Sequence, residues 1–452
     1  MIATTLAEIA AATGGRVVGD DALAVEGPAV VDSRRVTPGS LFVAVPGEHV
    51  DGHDFVERAL DAGAVGSLAT REVAGPHVIV EEPVAALGSL AADRLGALRE
   101  REDVDVVAIT GSQGKTSVKD LLAHVLAAHA ATVAPEGSFN NELGVPLTVL
   151  RADAATRHLV LEMGARGIGH IAHLCAIATP DVAVVLNVGS AHAGEFGGLE
   201  RTAQAKGEIV EALGADGTAI LNADDERVAA MASRTQGRVV TFGRAGDVRL
   251  VGDVSLDESG HPHLDVEVDG SVHLVTVPQI GRHHAMNALA ALAAATAVGV
   301  PAADAVAALA TAGAGSPMRM ERHDAPSGAV VLNDAYNANP ESMAAALRAL
   351  AELAPGRGIA VLGEMLELGD ESEAAHEAVG RLAAELGVAR VVAVGDGAAA
   401  LARGAGTIGS AVPDVDAAIE AVSASLGSGD VVLVKASRGV RLERVADALL
   451  RV

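Results

Sequence analysis

Apolar and polar positions change period several times along the chain, and each change marks a boundary. Between residues 104 and 242, short β-branched runs at Val104–Ile109, Leu159–Glu162, Val182–Val188, Thr218–Leu221 and Val239–Phe242 alternate with helical patterns near 117–129, 168–176 and 200–213. Strands apolar at every position are buried on both faces, which predicts a mostly parallel sheet with helices on both sides. From Val248 to Val277 the pattern switches to strict alternation with turns at Gly260 and Asp269-Gly270, the signature of antiparallel strands appended to that sheet. Alanine-rich helices follow His283 and span Ala302 to Thr311.

The flanks have their own rhythms. Residues 1–83 predict a small α/β domain, with a helix over Thr5–Ala12, a Gly14-Gly15 stop and short strands around Val17, Val30 and Leu41–Val45. A helix from Pro83 to about Arg101 leads into the central domain, 84–313. Ala312–Pro317, reading AGAGSP, is a hinge signal. Beyond it, strands near 329–333, 359–362, 390–394 and 430–434 alternate with helices and predict a Rossmann-like C-terminal domain, 314–452. The expected fold class is α/β in three domains.

Composition narrows the function. The net charge of −26 excludes a nucleic-acid track, whose affinity comes from neutralising phosphates with Lys and Arg. A single cysteine, Cys175, excludes an intramolecular disulfide and fits a reducing compartment. No basic, apolar leader opens the sequence, and its longest alanine-rich run is broken by Pro301, so a cytoplasmic protein without membrane insertion is expected. Of 33 basic residues only Lys115, Lys119, Lys206 and Lys435 are lysines. Arginine serves elsewhere, and with Lys115 and Lys119 in or just after a candidate phosphate loop, Lys206 and Lys435 are expected to do what a guanidinium cannot, the alternative being four chance survivors.

Chemistry concentrates around Val104–Lys119, VDVVAITGSQGKTSVK. An apolar strand breaks into Gly111, Ser112, Gln113, Gly114, Lys115, Thr116 and Ser117 at the start of a helix. Backbone N–H groups and a helix N-terminus there suit phosphate, Lys115 suits terminal phosphates, and the Thr116 hydroxyl suits Mg²⁺. The spacing is a short G-x-x-G-K-T, and the alternative is a glycine-rich turn. Glu162 follows a strand beside Met163-Gly164, as a Mg²⁺-ligating carboxylate does, and His192 follows the next strand, a ligand or a structural histidine. Asn140 and Asn141 bind substrate or make an Asx-turn, while Asp32, Ser33 and Arg34 at a strand end suit ligand recognition or ordinary turn chemistry. Gly395–Ala400 satisfies G-x-G-x-x-A but reads as a strand-to-helix turn.

Taken together, TGSQGKTSVK, SFNNELGVPLT, LEMGA, NVGSAHAGEFG, QAKGEI, LNADD, HHAMNALAA, RMER, NDAYNANPESM, GEMLELGDES and VLVKASRG resemble the Mur ligases, ATP-dependent amide-bond-forming enzymes of bacterial cell-wall synthesis. NDAYNANPESM and DSRRVTPGSLFVAVPGEHVDGHDF most resemble the member that attaches D-alanyl-D-alanine to a UDP-muramoyl-tripeptide. The resemblance implies an N-terminal domain for the UDP-substrate, a central ATPase, and a C-terminal domain closing over ATP and the amine. It implies an acyl-phosphate intermediate, ATP and two Mg²⁺ ions, small-molecule partners and a monomer. Lys115 and Thr116 would hold phosphates and the first metal with Glu162, and His192 would ligate a second. Lys206, carbamylated by CO₂, would serve that second metal, a reason for lysine over arginine. Asn287 and His283 would contact adenine, Arg319 the phosphates, Asp334 the ribose, and Asp32, Ser33 and Arg34 the uridine nucleotide. Tyr336, Asn337, Asn339 and the Lys435–Arg438 segment would face the nucleotide or amine. Rival expectations are a third-residue-adding ligase, a folylpolyglutamate synthetase, or a regulatory P-loop module, which would want the N-K-x-D that is absent.

Overall fold

The computed structural model of the chain describes residues 1–47, 50–189, 198–313 and 315–451. The first helix, Leu6–Thr13, starts one residue later than expected because Thr5 is its cap. The Thr5 hydroxyl accepts from the Glu8 N–H and the Glu8 carboxylate accepts from the Thr5 N–H. Gly14, at φ 65°, ends it in the left-handed conformation.

Strand β1 (Thr4–Thr5) pairs with β3 (Ala24–Val25). The five-stranded N-terminal sheet comprises β2 (Arg16–Val18), β4 (Ala29–Val30), β5 (Leu41–Val43), β6 (Gly66–Ala69) and β7 (His77–Ile79) in the order β2-β7-β6-β5-β4. Only β2 runs antiparallel to its neighbour. Helix Pro83–Arg99 then carries a buried face of Ala86, Leu87, Leu90, Ala91, Leu95 and Leu98. That face belongs to one apolar core running from Leu6, Ile9 and Leu41 to Val106, Ala108 and Leu159, so the N-terminal sheet is welded to the central one.

The central sheet has nine strands: β8 (Asp105–Thr110), β9 (Thr132–Val133), β10 (His158–Glu162), β11 (Val182–Val185), β12 (Thr218–Asn222), β13 (Arg238–Gly243), β14 (Val248–Leu256), β15 (Pro262–Val268) and β16 (Ser271–Thr276). Their order is β16-β15-β14-β13-β12-β11-β8-β10-β9. The chain leaves β8 toward β9 and β10 on one side and returns to β11 on the other. That reversal opens a crevice at the carboxyl ends of β8, β10 and β11. The last three strands form an antiparallel meander, as the alternating pattern predicts.

The C-terminal sheet orders β17 (Glu321–Asp324), β18 (Val330–Asp334), β19 (Gly358–Leu362), β20 (Arg390–Val394), β21 (Gly409–Val412) and β22 (Val431–Lys435) as β17-β18-β22-β19-β20-β21. It is parallel except for β17. Two apolar clusters flank it, one gathered around Leu347 and Leu401, the other around Val445 and Leu449. Gly395, at φ 87°, turns the chain from β20 into a short helical turn and helix Ala399–Ala405. Among the described residues no helix is long and apolar enough to cross a membrane.

Candidate active site

The phosphate loop fills the crevice at the end of β8. Helix Lys115–His129 begins at Lys115, two residues earlier than its pattern suggests, because Gly114 adopts φ 82° and serves as its N-cap. A Cβ at Gly114 would lie 2.7 Å from Asn287 Oδ1, so glycine here serves both conformation and close approach. Lys115 Nζ donates to the Gly111 carbonyl at 2.7 Å, folding the ammonium back over the loop.

Strand β11 stops at Val185 rather than continuing to Val188, and the freed backbone braces the loop. Asn187 accepts the Ser112 N–H through its main chain (3.1 Å) and the Gln113 N–H through its side chain (3.0 Å), and its amide donates to the Gln113 carbonyl. Gly189 N–H donates to Ser112 Oγ at 2.9 Å. Asn222 and Asp225 fix this backbone from below by bonds to Leu186 O and Val188 N. With the Ser112 and Gln113 amides engaged by Asn187, the helix start at Lys115 carries the loop's remaining partial positive charge.

Thr116 and Glu162 meet directly. The Thr116 hydroxyl donates to Glu162 Oε2 at 2.9 Å, and the Asn140 amide donates to Glu162 Oε1 at 2.7 Å. Glu162 is 1% exposed, so these two donors hold a buried carboxylate in place. A hydroxyl and a carboxylate are the hard oxygen donors that suit Mg²⁺ alongside phosphate oxygens, and the pair fits such an ion. Asn141 does something different: its side chain accepts the Gly144 N–H, an Asx-type turn leading into helix Gly144–Val149.

Arg319 comes to the same point from the segment that leads into the C-terminal sheet. Its Nη2 donates to Thr116 Oγ1 (3.3 Å) and Ser138 Oγ (3.2 Å), and its guanidinium lies over the Tyr336 ring at 4.3 Å. Asp334, at the end of β18, accepts Lys435 Nζ at 2.7 Å and the Met320 N–H at 3.1 Å. Lys435 also donates to the Asn337 carbonyl, and Asn339 caps helix Pro340–Leu353. His283 opens helix His283–Ala297, and burial chiefly, with the Lys435 charge, pulls its imidazole down to about 4 against the opposing Asp334. Ser117, His284 and Arg319 line a cavity of about 220 Å³ between the phosphate-loop helix and the segment at Gly315 and Ser316.

Lys206 lies on helix Leu199–Glu211 and is 4% exposed. Its ammonium meets no hydrogen-bond or ion-pair partner among the described residues, and burial, reinforced by the nearby Lys115 charge, drives its pKa well below the ordinary lysine range. The helix itself is firmly seated. Glu208 accepts the Gly169 and Ala172 N–H groups at the start of helix His170–Ile177, and Arg234 bonds the Ala203 and Gln204 carbonyls. His192 lies outside the described residues.

Asp32, Ser33 and Arg34 sit apart on the N-terminal sheet, in a short 3₁₀ turn after β4. Ser33 is buried, whereas Arg34 is exposed and clamps Asp32, holding that carboxyl down at about 2. Arg35 reaches Glu136 in the loop before Ser138, at 2.6 Å. The structure thus gathers Gly111–Thr116, Asn140, Glu162, Asn287 and Arg319 at the phosphate loop. Sequence reasoning passed over Asn187 and Ser138; both stand inside the motif strings NVGS and SFNN, and nothing local distinguishes them as braces.

Similarity to known proteins extends over the whole chain. Family models described as Mur ligase family, catalytic domain; Mur ligase middle domain; and Mur ligase, glutamate ligase domain match residues 30–93, 109–295 and 318–438. The UDP-N-acetylmuramoyl-tripeptide--D-alanyl-D-alanine ligase of Mycobacterium tuberculosis is 44% identical, with 100% of this chain and 98% of that protein covered; the Escherichia coli protein of that name is 36% identical with 99% of each covered. A crystal structure of MurF from Acinetobacter baumannii superposes with a TM-score of 0.89 at 31% identity, covering 99% of each chain, and MurF from Thermotoga maritima in complex with ADP with 0.80 at 32%, covering 94% and 97%.

Proposed function

The chain belongs to the Mur ligase family, and we propose that it uses ATP to join D-alanyl-D-alanine to UDP-N-acetylmuramoyl-tripeptide, giving the UDP-muramoyl-pentapeptide of peptidoglycan synthesis. The observation that carries this reading is Arg319 bonded to Thr116 across the hinge, which makes one site from two parts of a chain similar to such ligases over its full length.

A carboxylate is a poor acyl donor in water. In the reaction we infer, the tripeptide's terminal carboxylate oxygen attacks the γ-phosphorus of ATP, the bond to ADP breaks, and the resulting acyl phosphate carries a good leaving group. The dipeptide amine attacks the acyl carbon and loses a proton, the tetrahedral intermediate collapses, and phosphate departs. All reacting partners are anionic or electron-rich, so the barrier is lowered mainly by positive charge and precise placement.

The chain's own residues divide that work. Lys115 would hold the terminal phosphates, and Arg319, beside Thr116, would reach them as well. Thr116 and Glu162 would hold the first Mg²⁺, which when bound offsets the charge of the phosphates. Lys206, carbamylated by CO₂ with an N–C bond formed and one proton lost from the amine, would hold a second Mg²⁺ through an anionic oxygen, where a free ammonium would repel it. We assign Asn287 and His283 to adenine, Asp334 to the ribose, Asp32, Ser33 and Arg34 to the uridine nucleotide, and Asn140, Asn141, Tyr336 and Asn337 to substrate. Residues 1–83, 84–313 and 314–452 would be the UDP-substrate, ATPase and closing domains of a cytoplasmic monomer.

The test is phosphate release by the full chain with UDP-muramoyl-tripeptide, with and without D-alanyl-D-alanine. Release that depends on the dipeptide is expected; release that ignores it overturns the assignment.

A further inference from the structure

The mechanism gives work to Lys115 and Lys206, and Asp334 accounts for Lys435. Lys119 is the fourth lysine, and nothing in the reaction calls for it. It is 2% exposed. A buried ammonium is held only where acceptors surround it, and here they come from three separate parts of the chain. Lys119 Nζ donates to the Pro135 carbonyl (3.1 Å), the Gly137 carbonyl (3.1 Å) and Ser316 Oγ (3.2 Å), and it pairs with Asp120. Three protons on a tetrahedral head meet three neutral oxygens, a set that a longer, planar guanidinium does not match.

Each partner leads back to Arg319. The Pro135–Gly137 loop continues into Ser138, whose hydroxyl meets Thr116 (2.9 Å) and Arg319 (3.2 Å). Ser316 lies three residues before Arg319 and is gripped twice, because Asp120 Oδ2 accepts its N–H at 2.8 Å. A Cβ at Gly315 would stand 2.7 Å from Asp120 Oδ2, so the connecting segment lies flush on the phosphate-loop helix. Arg319 itself is bracketed by Met318 at φ 58° and Met320 at φ 50°, left-handed conformations that non-glycine residues adopt only under strain. Fixed contacts must hold that shape: Met318 N–H to Glu321, Met320 N–H to Asp334, and the grip on Ser316.

We infer that Lys119, acting with Asp120, is a positioning residue that sets where the Arg319 guanidinium enters the phosphate site, by tying the phosphate-loop helix, the Ser138 loop and the connecting segment to one ammonium. The inference rests on the ligase reading for its kinetic consequence but not for its structural one.

The experiment is a mutant cycle on the full chain. Lys119→Met lowers kcat/KM at least about tenfold, Lys119→Arg does not restore it, and in an Arg319→Ala background the Lys119→Met penalty largely disappears. Independent penalties that multiply, or wild-type turnover in Lys119→Arg, overturn the inference. Should Lys119→Met fail to fold, Ser316→Ala removes only the acceptor on the connecting segment; an at least threefold loss with the same coupling to Arg319 is expected, and unchanged turnover overturns the inference. Amide exchange without substrate separates the two readings. The backbone N–H at position 316 exchanges faster in either variant than in wild type if the grip is real, whatever reaction the protein catalyses, and equal protection sinks the grip. Absence of dipeptide-dependent turnover in wild type sinks the ligase reading alone.

Discussion

Lys206 and Lys435 are both buried lysines whose pKa burial lowers, and they differ in what opposes that pull. On β22, Lys435 stands directly opposite Asp334 on β18 in a parallel register, so the sheet itself delivers a carboxylate to the ammonium and the Asn337 carbonyl adds a second acceptor. On its helix in the central part of the molecule, Lys206 meets burial and a neighbouring Lys115 charge, with no acceptor among the described residues. A satisfied buried cation behaves as a brace. An unsatisfied one gives up its proton and becomes available for chemistry.

The largest expected effect breaks this comparison on the Lys206 side. Lys206→Met should reduce turnover about a thousandfold, the scale of losing a charge-stabilising group, while raising the unfolding midpoint by a few degrees. The sign follows from linkage. The folded pKa lies below the unfolded one, so at neutral pH the unfolded chain binds a proton that the folded chain does not, and keeping Lys206 costs stability. That cost shrinks as pH rises toward the ordinary lysine value, so the stabilisation by methionine should be larger at pH 7 than at pH 10 in thermal scans. Retained turnover of Lys206→Ala in bicarbonate-free buffer would refute the carbamate.

Lys435→Met is the opposite arm. It leaves the Asp334 carboxylate buried without its cation and should destabilise the protein by about 3–5 kcal/mol in urea titrations, with Asp334→Leu added to it recovering much of the loss. A loss under about 1 kcal/mol would mean the pair is not the brace its geometry suggests.

Thr116 sharpens the rule, because its hydroxyl is fully engaged by Glu162, Ser138 and Arg319 and is nonetheless assigned chemistry. Thr116→Val should cost roughly a hundredfold in turnover with a rise in the Mg²⁺ concentration needed for half activity, and little stability. Unchanged Mg²⁺ dependence would return Thr116 to a structural role.

The smallest effect belongs to Asp32, whose pairing with Arg34 is exposed. Asp32→Asn should change stability by less than about 0.5 kcal/mol at pH 7. The Asp32 pKa is depressed to about 2, so what little the pair contributes is present above the ordinary aspartate value and lost only as pH falls through about 2. Its KM for the UDP-substrate should rise about tenfold nonetheless. No change in KM would remove this turn from the uridine site.

The sequence made the phosphate loop legible because its chemistry is contiguous: Gly111 to Thr116 carry the turn, the cation and the hydroxyl within six residues. Glu162 was legible for a similar reason, as a carboxylate at the end of an apolar run. Asn187 was not, since its work is done on Gln113 from 74 positions away. The scarcity of lysine drew attention to Lys206 and Lys435 and said nothing of what Lys119 holds, because its acceptor Ser316 lies 197 positions on.

By itself, then, the sequence determined the periods of its strands and helices and the order of residue types that a phosphate site requires. These depend on dihedral preferences and hydrogen bonds among neighbours, which act over a few residues. Only the tertiary structure decided that β8 lies between β10 and β11, that Asp334 faces Lys435 while Lys206 faces none of the described acceptors, and that Arg319 arrives at Thr116. Those outcomes are set by burial and by contacts closed across hundreds of residues, and no local pattern encodes which distant partner a buried charge will meet.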